Sequence, residues 1–88
     1  MSDRVVWLRD GRRLGFTEYG DPAGFPLVNC HGGLACRLDV AAADGVARDA
    51  SIRPISPDRP GVGLSDPRPG RTVANWAADV SELTKQLQ

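Results

Sequence analysis

The sequence has one histidine, His31, and two cysteines, Cys30 and Cys36. A lone imidazole with no second soft ligand at a useful spacing excludes an ordinary zinc site. Two cysteines without Cys-x-x-Cys spacing are too few for a disulfide framework, and they read as free thiols of a cytoplasmic protein. Charge of one sign is missing as well: 11 Lys and Arg balance 11 Asp and Glu, and the formal net charge is zero. With acids and bases interspersed, no basic face for nucleic acid is expected. No apolar run is long enough to cross a membrane. The opening residues carry no apolar signal region. The phosphate-cradling pattern G-x-x-x-x-G-K-[ST] is absent, which excludes a P-loop. Gly61-Val62-Gly63 begins like a dinucleotide fingerprint, but the third glycine is missing and Pro67 and Pro69 stand where a helix would have to start. No cofactor and no metal are expected.

The 88 residues suit one small domain. Such a domain buries roughly 60–65% of its unfolded surface, enough for one core but not for a core and a cap. Residues 4–9 are β-branched and aromatic and read as a strand, and Asp10-Gly11 reads as a hairpin turn. A second strand is expected over 13–19, with Leu14 and Phe16 on one face and Gly15, Thr17 and Tyr19 on the other. The apolar run before His31-Gly32-Gly33 reads as a third strand, near 27–31, ending in a tight turn. Leu38, Ala42, Val46 and Ala50, with Ala43 and Ala47 beside them, predict an amphipathic helix near 37–50, weakened by Gly45. Residues 52–56 read as a fourth strand despite Pro54, a residue that removes a ladder donor and favours an edge or a bulge. Residues 57–70 hold four prolines and three glycines and read as loop. Thr72 is a candidate N-cap. Val73, Trp76, Ala77, Val80, Leu83 and Leu87 predict a helix near 73–88 whose apolar stripe covers a sheet, with Asp79, Glu82 and Lys85 on the solvated face. The order, an antiparallel β-meander followed by alternating β and α elements, predicts an α/β fold with helices on the faces of a mixed sheet.

Glycines at the end of a central strand can turn their N–H groups toward a ligand, and open α/β sheets bind ligands at such ends. Gly32 and Gly33 are therefore candidates for holding developing negative charge. His31 is read as a brace that hydrogen-bonds backbone and holds this turn, in preference to a general base. Asp58-Arg59-Pro60-Gly61 could be an ion-paired substrate clamp. The plainer reading is that Asp58 and Ser65 tie the glycine-rich loop to itself, because short polar side chains bond nearby backbone N–H groups. Ser56 and Ser65 lie in no strand-to-helix elbow and lack an adjacent base, so neither is proposed as a nucleophile. Trp76 is read as core.

Two motifs in this order, with a helix between them, resemble the N-terminal part of the α/β-hydrolase fold over nearly the whole chain. His31-Gly32-Gly33 resembles the family's His-Gly-x oxyanion turn. Asp58-Arg59-Pro60-Gly61-Val62-Gly63-Leu64-Ser65 resembles its D-x-x-G-x-G-x-S loop. The resemblance implies that the Gly33 N–H gives half of an oxyanion hole and that His31 falls on the family's bracing histidine. It implies that Asp58, Arg59, Gly61, Gly63 and Ser65 form a structural turn near the pocket. Leu34 stands where many members have proline, and it is expected to line the pocket. The G-x-S-x-G nucleophile elbow and the acid and histidine that follow it in the family are absent, so the chain carries no triad. It is expected to be an N-terminal fragment of a serine hydrolase of ester-like acyl substrates, inactive alone and open at the edge where the nucleophile strand would pair. Such an edge is a pairing template, so self-association or pairing with a missing C-terminal half is expected. The alternative is a non-catalytic interaction or ligand-binding module on a truncated hydrolase fold.

Overall fold

The structure is a computed structural model and describes residues 2–31, 35–70 and 72–87. Four strands, β1 (Ser2–Trp7), β2 (Arg13–Glu18), β3 (Phe25–Val28) and β4 (Ile52–Pro57), form one sheet in the order β1-β2-β4-β3. β1 and β2 form an antiparallel hairpin with Ser2 opposite Glu18 and Trp7 opposite Arg13. β4 then lies antiparallel to β2 and parallel to β3. The opening hairpin therefore does not meander into β3, because β4 inserts between them and leaves β3 at the edge.

Pro54 does not demote β4, which is a central strand. Its carbonyl accepts from the Tyr19 N–H at 2.9 Å, one residue past the last β2 pairing of Glu18 with Ile55. The donor that proline lacks would have pointed to the same side, where β2 has already ended. Pro26 is tolerated for the more usual reason, since it sits on the edge strand.

A helix, α2 (Val73–Gln86), crosses one face of the sheet. Thr72 caps it in a capping box: its side chain accepts from the Asn75 N–H, and the Asn75 side chain accepts from the Thr72 N–H. Trp76 and Leu83 of α2 pack on Leu8, Leu14, Phe16 and Ile55, with Val6, Val80 and Leu87 around them. Val73, expected in this stripe, is exposed, because it lies in the first turn beyond the edge of the core. Asp79, expected in solvent, is only 2% exposed. It lies three residues after Trp76 and four before Leu83, on the buried stripe. The Arg12 guanidinium reaches in with two hydrogen bonds, at 2.8 and 3.2 Å, and supplies the charge partner that burial of a carboxylate requires.

The expected helix over 37–50 is shorter. Residues 37–40 form turns, Ala41–Ala43 a 3₁₀ turn, and Asp44–Asp49 the second α-helix, α1 in chain order. It has no side-chain cap, and its contact with the sheet is made by small residues. Ala47 is buried, and a Cβ on Gly20, whose φ is +70°, would strike it. Val46 and Leu38, expected on the covered face, are exposed. The Asp44 carboxylate ties this segment back by accepting from the Gly20 N–H at 2.7 Å.

Candidate active-site turn

His31 follows β3 at the same end of the sheet as the exit of β4. Gly32, Gly33 and Leu34, the expected oxyanion and pocket-lining residues, lie outside the described residues. The residues on either side of them are described, and they converge on one dipeptide.

His31 is almost completely buried. Its Nε2 accepts from the backbone N–H of Arg59 at 3.0 Å, so that nitrogen carries no proton. Its carbonyl accepts from Arg59 Nε at 2.9 Å. Beyond residues 32–36, the Arg37 N–H donates to Asp58 Oδ1 at 2.7 Å and its guanidinium reaches Asp58 Oδ2 at 3.2 Å. Both flanks of the 32–36 segment are thus fastened to consecutive residues, Asp58 and Arg59, at the end of β4. Arg37 is held further by Asp3 on β1 and by the Tyr19 hydroxyl, which donates to the Arg37 carbonyl at 2.8 Å.

The loop after β4 is built on the same carboxylate. Asp58 is fully buried, and its Oδ2 also accepts from the Leu64 N–H at 2.9 Å. Ser65 Oγ donates to the Asp58 carbonyl at 2.8 Å and accepts from the Gly15 N–H at 2.9 Å. Gly61 and Gly63 have φ of +79° and +53°. A Cβ on Gly63 would collide with the Asp58 carboxylate, so only glycine lets the backbone wrap this closely. Asp58 and Arg59 do not pair with each other as a clamp. Asp58 faces Arg37, and Arg59 lies over the Trp76 ring at 5.3 Å.

The structure therefore brings His31, Asp58, Arg59, Gly61, Gly63 and Ser65 into one assembly. Arg37 belongs to it too and carried no sequence signal, since it reads as an ordinary exposed residue at the start of a helix. Among the described residues no group of His, Cys, Asp and Glu could hold a metal ion. Cys30 and Cys36 are free, and among the described residues no helix is long and apolar enough to cross a membrane.

No protein-family model matches the chain, and no curated protein matches it. Solved structures do. A putative aryl esterase from Burkholderia cenocepacia is 31% identical with a TM-score of 0.79, covering 98% of this chain and 33% of its own. An esterase from Exiguobacterium antarcticum is 25% identical with a TM-score of 0.84, over 98% of this chain and 32% of its own. A thioesterase domain from the curacin biosynthetic pathway is 18% identical with a TM-score of 0.86, over 100% of this chain and 33% of its own. The fold is that of the N-terminal part of an α/β-hydrolase. The chain spans about a third of the length of the structures it matches.

Proposed function

We propose that the chain supplies the oxyanion side of an α/β-fold hydrolase acting on ester-like acyl substrates. In this reading the Gly33 N–H provides one donor to the tetrahedral intermediate, and Leu34 lines the acyl pocket. The second donor and the attacking serine come from polypeptide other than these 88 residues. Removing one such donor typically costs about 2.7–4 kcal/mol of barrier, so the geometry of this turn matters. The observation that supports the reading is the fastening of the two residues that flank 32–36, His31 to Arg59 and Arg37 to Asp58. Fixed residues on either side of a glycine pair favour preorganised charge stabilisation. With no triad among these residues, the 88-residue chain alone hydrolyses nothing. We assign it to the cytoplasm on its two free thiols.

The partner in this reading is the polypeptide that pairs with β3, or a second copy that takes its place. Phe25 and Leu27 on that edge are 74% and 53% exposed. Apolar clefts flank the edge on both faces of the sheet, one bounded by Val28, Ile55 and Leu87 and the other by Leu27, Ala47 and Pro54. The same edge supports a second reading, a non-catalytic module that uses its free strand for association.

Labelling the intact gene product with a fluorophosphonate probe separates the two. Covalent labelling of a serine outside residues 1–88, lost when Gly33 is replaced by proline, is the expected result. A full-length product that never labels, yet binds a partner through β3, sinks the hydrolase reading.

A further inference from the structure

We propose that the cleft between the β4 exit loop and the start of α2 is a binding site for a small oxyanion, the carboxylate or phosphate group of a small molecule. The cleft, about 310 Å³, is lined by Arg59, Pro60, Thr72, Val73 and Trp76. Arg12, Arg37, Arg53 and Arg68, the other partly buried arginines among the described residues, each face a carboxylate. Arg59 faces none. Its Nε is spent on the His31 carbonyl and its plane is held over the Trp76 ring. Nη1 and Nη2 have no acceptor among the described residues. A guanidinium fixed in this way, with its outer N–H groups unused, is set to take an oxyanion in two parallel hydrogen bonds.

Trp76 lines the cleft and is 7% exposed, so its emission reports on the site. The cleft also adjoins the N-terminal end of the 14-residue α2, whose first turn carries no acidic side chain to offset its partial positive charge. Among the described residues no carboxylate lines the cleft. The site does not depend on the acyl-transfer reading and its test needs no activity.

The test uses the 88-residue chain carrying Trp7→Phe, so that Trp76 is the only fluorophore of its kind. It is titrated with inorganic phosphate and, separately, with acetate, against sodium chloride at matched ionic strength. Saturable change in Trp76 emission is expected with at least one oxyanion and not with chloride. Saturation by acetate assigns a carboxylate ligand, and saturation by phosphate alone assigns a phosphate ester. Arg59→Gln should weaken binding roughly tenfold or more, the loss of charge-assisted hydrogen bonds. Because Arg59 also braces His31, Val73→Glu is the deciding variant. Val73 is 85% exposed at the cleft, and a glutamate there places a carboxylate beside Arg59 without touching the core. It should abolish saturation while the circular dichroism spectrum stays unchanged. A response that merely follows ionic strength, or binding that survives Val73→Glu, overturns the proposal.

Discussion

Asp58 takes two backbone N–H groups and one guanidinium, from Arg37 and from Leu64 of its own loop. Replacing it with asparagine keeps the shape but removes the charge and sets an amide N–H against one of these donors. A loss of about 2–4 kcal/mol is expected, the range for breaking a buried charge pair on one side, and urea unfolding measures it. Gly63→Ala should cost at least about 2 kcal/mol by overpacking and an unfavourable φ. Asp66 gives a prediction with a pH sign. Hydrogen bonds from the Arg13 guanidinium, then from the Arg13 N–H, hold its carboxyl below the ordinary aspartate range. Its contribution to stability is therefore present above the unfolded value of about 3.9 and lost as the pH falls through the lower folded value. Asp66→Asn should flatten the fall in stability below about pH 4, read from urea midpoints at successive pH values. At this scale much of the assembly was legible: short polar side chains beside glycines announce a loop bonded to itself. Asp79 was misread by residue type, since its spacing from Trp76 and Leu83 already placed it on the buried stripe. Its partner Arg12 is distant in sequence, so no local pattern could show that its charge is matched.

The elements follow from signals of unequal strength. α2 has a capping box and a long apolar stripe, and its start was legible to the residue. Thr72→Ala should cost about 1 kcal/mol. Leu83→Ala, in the centre of the core, should cost about 2–5 kcal/mol. Thermal or urea unfolding orders the two. The segment before β4 misled the periodicity, because alanine-rich helices read as amphipathic in several registers. What decides the register is the close approach of Ala47 to Gly20, a tertiary contact. Val46→Ser should therefore stay within about 0.5 kcal/mol of wild type, as for an exposed position. Pro54 shows the same limit: whether a strand proline is harmful depends on which neighbour its missing donor would have faced.

At the scale of the molecule, the sheet has two edge strands, β1 and β3. The strand order was not legible, because nothing in the sequence says that β4 will slip between β2 and β3. That insertion sets β4 parallel to β3, with α1 between them in the chain, and it puts the apolar Phe25 and Leu27 at the rim. An unprotected apolar edge associates, so the thermal midpoint of the 88-residue chain should rise with its concentration. Leu27→Lys should lower the scattering mass and remove that concentration dependence. A monodisperse monomer with a cooperative, concentration-independent melt would contradict this.

The fastening of His31 and Arg37 to neighbouring residues of one chain segment works like a buckle. Both ties end just past β4, at Asp58 and Arg59. Lengthening or rebuilding the stretch between Arg37 and β4 then leaves both ties in place, because no residue of that stretch takes part in them.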